Sequence, residues 1–316
     1  MKILVTGATG FIGSALIAHL KHIEGFTVVG MVRSIKDIPC NSTVDFVSGE
    51  IGSLNTADID LRNIDLIIHT AGRAHKMNDS LINPIEEFRR VNTSGTLELA
   101  RLAAGSGVKR FIFLSSIKVN GESTDLGVPF SVNSIEDPCD AYGVSKYEAE
   151  IGLRKVSDET GLEVTIIRPP LVYGPGVKGN FNTLIKVLKL RTPLPLASVK
   201  KNRRSMVGLD NLISMITVCA QHTKAANQTF LISDKTDLST YDLLRMLGAS
   251  IGKPAILFKC PITILILISK FFSKEVKLQR IIGSLQVDIS HTCTELDWEP
   301  PFSVAHSLGR LNKAIE

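Results

Sequence analysis

MKILVTGATGFIGSALIAHL, residues 1–20, sets Gly7, Gly10 and Gly13 between a short apolar run and a helical pattern. Lys2 to Thr6 reads as a buried strand. From Ser14 to Ile23, Leu16, Leu20 and Ile23 share one helical face. Gly7 permits a tight turn, Gly10 lets backbone approach a pyrophosphate, and Gly13 lets helix pack closely on strand. The N–H groups and positive dipole end of such a helix suit a dinucleotide, with Thr9, Phe11 and Ile12 carried on the same turn. A glycine-rich turn without a ligand is the bland alternative. The strand before it and the helix after it favour the dinucleotide.

Outward from this turn the pattern repeats. Thr27 to Val32, Val44 to Val47, Asp65 to His69, Arg110 to Leu114 and Val164 to Ile167 are apolar runs. Helical stretches such as Thr96 to Ala104 and Tyr142 to Lys155 lie between them. Strands buried on both faces and alternating with helices predict an α/β fold. It is a Rossmann-type doubly wound parallel sheet with a smaller, mostly C-terminal substrate-binding lobe. After Arg168, Pro169, Pro170, Pro175, Pro193 and Pro195 interrupt the alternation, and Thr229 to Ile232 reads as a strand returning to the sheet. Residues 1–168 plus about 206–232 therefore form the predicted dinucleotide-binding domain. About 169–205 and 233–316 form the predicted smaller lobe.

The 316 residues are 44% hydrophobic and 21% charged, which excludes a disordered chain. The net charge of +5 is scattered, and the run Lys200 to Arg204 has no interleaved aromatics. It suits a solvated loop or a small-molecule phosphate clamp better than a nucleic-acid face. Five dispersed cysteines, with no CxxC pair, fit reduced thiols in a cytoplasmic protein and supply no metal site. The N-terminus lacks the form of a signal peptide. Pro261 to Phe272 (PITILILISKFF) is too short to span a bilayer. A buried helix is the expectation there, contact with a membrane surface or a partner the alternative, and stable membrane insertion is not expected.

GxxGxxG resembles the short-chain dehydrogenase/reductase superfamily, and the residues that follow resemble its extended members, the NAD-dependent epimerases and dehydratases. Ser48-Gly49-Glu50-Ile51 is similar to the GD(L/I) segment beside the adenine. His69-Thr70-Ala71-Gly72 is similar to the HxAG strand end beneath the cofactor, and Asn92 to Thr96 to the NxxGT helix. The resemblance implies that Glu50, Ile51, Thr70, Ala71, Gly72 and Asn92 line the cofactor site. Tyr142-Gly143-Val144-Ser145-Lys146 places a tyrosine and a lysine one helical turn apart. A free tyrosine, with a pKa of about 10, is a poor base at neutral pH. A neighbouring ammonium and a positive nicotinamide favour its phenolate. The same ammonium can hold the nicotinamide ribose. Ser115 to Gly121 resembles the family's SSxxVYG segment, which implies that Ser116 bonds the substrate C–O(H) and completes a catalytic set with Tyr142 and Lys146. Asn120 departs from the family's tyrosine.

Arg168 to Gly176 resembles the RPxxVYGPG strand exit of members acting on nucleotide sugars, with Pro169 beside the nicotinamide. By the same resemblance Asn180 and Arg203 meet the substrate diphosphate. Arg204 is an alternative to Arg203, and Arg280 is a further clamp. Solvated surface charge is the plain alternative for each arginine. The related 4,6-dehydratases carry an Asp-Glu pair where Ile117 and Lys118 stand, so dehydration is not expected. Two reactions remain at C4 of the sugar: 4-epimerisation with tightly held NAD(H), or reduction of a 4-keto sugar. Arg33, in VVGMVRS, occupies the place where an acidic residue commonly binds the ribose 2′-OH, and a guanidinium there suits a 2′-phosphate. That inclines the reading to NADP(H) and a 4-ketoreductase. The wider resemblance is to bacterial UDP-glucose 4-epimerase-like and UDP-4-keto-6-deoxy-N-acetylhexosamine 4-reductase proteins of O-antigen precursor synthesis. The expected partners are a UDP-linked sugar and a second copy of the chain in a homodimer. A non-enzymatic NADP-sensing regulator is the distant alternative, disfavoured because Tyr142 and Lys146 are both present.

Overall fold

A computed structural model describes residues 1–34, 36, 38, 43–53, 59–73 and 83–313. In chain order the elements are β1 (Lys2–Thr6), α1 (Phe11–Leu20), β2 (Thr27–Val32), β3 (Asp45–Ser48), β4 (Leu66–His69), α2 (Pro84–Phe88), α3 (Gly95–Gly105) and β5 (Arg110–Leu114). They continue with α4 (Ala141–Thr160), β6 (Glu163–Arg168), β7 (Leu171–Tyr173), α5 (Gly179–Lys189), β8 (Met206–Gly208), α6 (Leu209–Gln221) and β9 (Thr229–Leu231). The chain ends in α7 (Thr240–Ser250), α8 (Ile262–Phe271), α9 (Glu275–Ile282), α10 (Ser290–Leu296) and α11 (Val304–Lys313).

Seven strands form one sheet in the order β3-β2-β1-β4-β5-β6-β9, and every pairing is parallel. This is the doubly wound sheet that the alternating apolar runs predict. Side chains alternate across it as the strand period of two requires. On β1, Ile3 and Val5 join a core with Leu16, Leu20 and Ile213 of α1 and α6. Leu4 faces the opposite way, into a core with Leu99 and Leu153 of α3 and α4. The predicted strand bounds hold within a residue or two. Helix α1 begins at Phe11 rather than Ser14, because extended Gly10 is already its N-cap.

A third core gathers Tyr173, Phe181, Ile185, Leu244, Leu247, Leu265 and Leu308 from the chain beyond Arg168. β7 and β8 form a separate parallel pair beside it. The segment around Pro261 to Phe272 is helical, as expected, but it is not a buried helix. Only Leu265 and Ser269 of α8 are buried, while Leu267 is 70% and Phe271 83% exposed. A helix apolar on nearly every face needs cover on every face. Among the described residues, α8 receives it only along the line through Leu265 and Ser269.

Candidate active site

The glycine turn links β1 to α1 at the centre of the sheet. Gly7 has φ +68°, and a β-carbon on it would lie 2.8 Å from the Ala71 nitrogen at the end of β4. A β-carbon on Gly13 would collide with the Gly7 carbonyl oxygen, so α1 sits directly on the turn. Gly10 N–H bonds Gly7 O at 2.8 Å, and as the N-cap of α1 Gly10 offers no side chain to cap it. The first N–H groups of α1, at Phe11, Ile12 and Gly13, therefore follow a turn whose cap residue carries no side chain. This is the cradle a pyrophosphate needs. Thr9 lies on the turn.

The far wall of this cradle is tied down by His69, which is sealed from solvent. Its Nδ1 lies 2.8 Å from Thr6 Oγ1 and its Nε2 3.0 Å from Thr96 Oγ1. Thr96 spends its hydroxyl proton on Asn92 O, so Nε2–H donates to Thr96 and Nδ1 accepts from Thr6. Thr6 Oγ1 in turn accepts the Ala71 N–H at 3.2 Å. Burial, assisted by the Lys146 charge, pushes His69 down to about 3, so the imidazole is neutral. Thr70 is fixed by a bond from Oγ1 to Thr6 O at 2.6 Å, and Gly72 is exposed beside it. Asn92 lies in a π-helical turn, Arg89–Ser94. Its Oδ1 accepts from the Arg73 N–H, and its Nδ2 donates to Arg73 O and Ser145 Oγ. The amide of Asn92 is thus spent on joining the end of β4 to α4.

Ser116, Tyr142 and Lys146 converge beyond the C-terminal ends of β5 and β6. Ser116 caps a 3₁₀ turn, Ile117–Val119, and accepts the Lys118 N–H at 3.3 Å. Ile117 N–H bonds Pro169 O, which anchors that turn to the strand exit. Asp140 caps α4 by accepting the Gly143 N–H at 2.7 Å and so sets the angle of Tyr142. Lys146 lies one turn on, 3% exposed, with Nζ 2.9 Å from Leu114 O and 4.4 Å from the centre of the Phe113 ring. An ammonium has three donors, and among the described residues one hydrogen bond uses one of them. The remaining donors fit ribose hydroxyls, and a β-carbon on neighbouring Gly72 would stand 3.3 Å from Nζ.

Burial sets the charge states of this site in the chain by itself. Burial, with the Asp140 carboxylate adding to it, raises Tyr142 to about 12, while the Ser116 hydroxyl pulls the other way. Burial lowers Lys146 to about 7, against the favourable field of Glu150. In the chain by itself Tyr142 is therefore a phenol. Both shifts have one cause, a dry site that disfavours charge.

Glu150, one turn after Lys146, was not singled out by motif. It is fully buried and paired with Arg168, Nη2 to Oε2 at 2.6 Å, while Ser115 Oγ donates to its Oε1 at 2.5 Å. Its signal in the sequence was a carboxylate on the apolar face of α4. Asn120, which replaces the family's tyrosine, accepts from Arg168 Nη1 at 3.1 Å, and its buried Nδ2 has no partner among the described residues.

The arginines divide. Arg203 Nη1 bonds the carbonyls of Lys200 and Asn202, and Asn180 lies exposed on the first turn of α5. Arg204 and Arg280 instead join a charged cluster beside Ser116. Lys118 Nζ lies 2.6 Å from Glu122 Oε1 and also binds Asp140, while Arg280 Nε lies 3.5 Å from Glu122 Oε2. Arg280 Nε is buried and, beyond that ion pair, makes no hydrogen bond among the described residues, so it could donate to an anion. Burial lowers Arg204, with Arg280 adding to it and Glu122 opposing. Arg204 Nη1 donates to Gly283 O at 3.3 Å, at the end of the helix that carries Arg280, whereas Arg203 Nη1 is spent on its own loop. At the other end, Arg33 is exposed after β2 and its guanidinium has no partner among the described residues. Glu50 is exposed, whereas Ile51 packs under α3 against Gly95. Among the described residues no cluster could hold a metal, and no helix is long and apolar enough to cross a membrane.

Comparison with known proteins agrees with this arrangement. Residues 3–233 match the family described as the NAD dependent epimerase/dehydratase family. A UDP-glucose 4-epimerase from Vibrio cholerae is 44% identical over 300 residues, which are 95% of this chain and 91% of that protein. Two solved structures share the fold. One is UDP-glucuronic acid 4-epimerase from Bacillus cereus in complex with NAD, with TM-score 0.79, 24% identity, and 100% of this chain and 98% of that one covered. The other is UDP-glucose 4-epimerase from Thermotoga maritima with UDP-glucose, with TM-score 0.79, 21% identity and the same coverage.

Proposed function

The chain belongs to the NAD dependent epimerase/dehydratase family, and from that premise we propose that it epimerises C4 of a UDP-linked hexose or N-acetylhexosamine, with NAD held in the cradle. The observation that carries this is the meeting of Ser116, Tyr142 and Lys146 beside the Gly7–Gly13 turn. The Vibrio cholerae relative favours epimerisation over the ketoreductase to which Arg33 inclined the sequence reading.

The bound nicotinamide supplies hydride transfer at C4. Tyr142 takes the proton of the C4 hydroxyl and later returns it, so no proton is gained or lost over the cycle. Ser116 donates to the same oxygen and holds it against Tyr142. Lys146 gives its spare donors to the ribose, and its ammonium, with the positive ring, draws the phenol down from about 12. The dry walls built by Phe113, Val119 and Pro169 exclude water from the 4-keto sugar between the two transfers. Arg204 and Arg280 take the diphosphate, and Asn180 assists from α5. The separate third core around α5, α7 and α8 supports a division into a dinucleotide-binding domain and a sugar-binding lobe. Dehydration lacks its carboxyl pair, since Ile117 is buried and Lys118 is held by Glu122 and Asp140.

One observation favours the second reading: Arg33, exposed and with its guanidinium unpaired among the described residues, suits the 2′-phosphate of NADP(H), and with it a 4-ketoreductase. One experiment decides between them. The purified protein is denatured and its released nucleotide identified by mass spectrometry. It is also incubated with UDP-glucose or UDP-N-acetylglucosamine, and the products are read by NMR. Retained NAD and a galacto-configured product support the epimerase. An empty or NADP(H)-bearing site, inert until a UDP-4-keto-6-deoxy sugar and NADPH are added, overturns it for the reductase.

A further inference from the structure

The largest feature that the proposed reaction leaves unused is the hairpin of α8 and α9. Opposite its buried line, α8 carries Ile264, Leu267, Ile268 and Phe271, and Phe272 and Val276 extend the surface through the turn. Val276 is 67% and Phe272 59% exposed. A monomer rarely leaves so many large apolar side chains together in water. The same stretch carries Lys259, Lys270, Lys274 and Lys277 against the single carboxylate Glu275. Lys274 Nζ lies 5.7 Å from the Phe272 ring, so cation and apolar surface are interleaved.

We propose that the α8–α9 hairpin docks this protein on the surface of an anionic phospholipid bilayer, with α8 lying in the plane of the headgroups. Charge complementarity chooses the occupant: four lysines against one carboxylate match lipid phosphates, and the helix shows the crest of apolar residues that lies among acyl chains. Shape agrees with charge. Ile266, Leu267 and Ile268 are consecutive and all exposed, so the apolar surface wraps most of the helix. A fluid medium can cover such a convex crest more completely than one rigid groove. Ten residues in α8 are too few to span the bilayer, so the contact is with its surface. Docking sets the substrate site close to the lipid, because Arg280 on α9 reaches Glu122, and Glu122 reaches Lys118 beside Ser116. The inference is independent of whether the site runs the epimerase or the reductase.

The test is co-sedimentation of the full chain with vesicles of phosphatidylglycerol and phosphatidylcholine, and with vesicles of phosphatidylcholine alone. The wild type and the surface variant Leu267→Glu/Phe271→Glu are compared, with circular dichroism and dinucleotide binding confirming that the variant is folded. The expected result is binding to the anionic vesicles that high salt weakens, and that falls by more than about tenfold in the variant. Equal binding to neutral vesicles, or binding unchanged in the variant, overturns the proposal. No vesicle binding by the wild type also overturns it. If a wild-type dimer then splits in the variant, by sedimentation velocity, the surface is an interface between copies.

Discussion

Arg168 and Glu150 meet inside the protein, Nη2 to Oε2 at 2.6 Å, and neither is more than 1% exposed. The pair joins the end of β6 to the middle of α4, one turn beyond Lys146. Removing Arg168 leaves the buried Glu150 carboxylate with only the half-exposed Arg154, at 3.1 Å, as a cation, and removing Glu150 leaves Arg168 with only Glu136, also at 3.1 Å. Arg168→Met alone is expected to cost about 3–5 kcal/mol. Adding Glu150→Leu should recover part of that loss. Urea unfolding of the two single variants and the double variant measures both effects.

Tyr142 is the proton carrier of the proposed reaction, and its phenol also packs edge-on against Phe88 at 6.1 Å between centroids. Tyr142→Phe keeps that packing. It should retain dinucleotide binding and lose about 10²–10⁴ in turnover. Steady-state rates and equilibrium dinucleotide binding on the same preparation separate the two.

Lys146 stands at about 7 in the chain alone, and contact with ribose hydroxyls favours its ammonium. Binding therefore takes up a proton once the pH exceeds that value. Dinucleotide affinity should be flat below pH 7 and fall above it, approaching about tenfold per unit until the bound-state value is reached. Calorimetric titrations in buffers of different ionisation heat read the proton directly. Lys146→Met should bind more weakly, with the slope gone.

His69 has its folded value depressed to about 3 from an ordinary 6.5. The unfolded chain therefore binds the proton first. The stability this confers is complete above pH 6.5 and is lost as the pH falls toward 3. The loss is about 1.4 kcal/mol per pH unit. Unfolding free energies at several pH values, compared with His69→Asn, isolate that slope. A slope unchanged by the substitution refutes the assignment.

Much of the fold was legible because it is written in local periods. The strands at Lys2, Thr27 and Arg110 are continuous apolar runs, and the glycine turn needs only its own seven residues. The spacing of Tyr142 and Lys146 is likewise a property of one helix. Long-range partners were not legible. Nothing near Asn120 announces that it faces Arg168, 48 residues away. Arg203 and Arg204 are adjacent, and only the course of the backbone sends one to its own loop carbonyls and the other toward Glu122. Hydrophobicity marked α8 as a helix but carried no information about what would cover it. The depressed Lys146 and elevated Tyr142 depend on burial, which the YxxxK spacing does not encode.

The strand order has a consequence during synthesis. β6 is complete once residue 168 has emerged, but its outer neighbour, β9, is not made until residues 229–231. Some sixty residues of nascent chain must therefore appear while Ile166, Ile167 and Arg168 lack their ladder partners. An open apolar strand edge is a template for pairing with the wrong chain. Synonymous codons that slow translation between β6 and β9 should lengthen this exposure and lower the soluble yield.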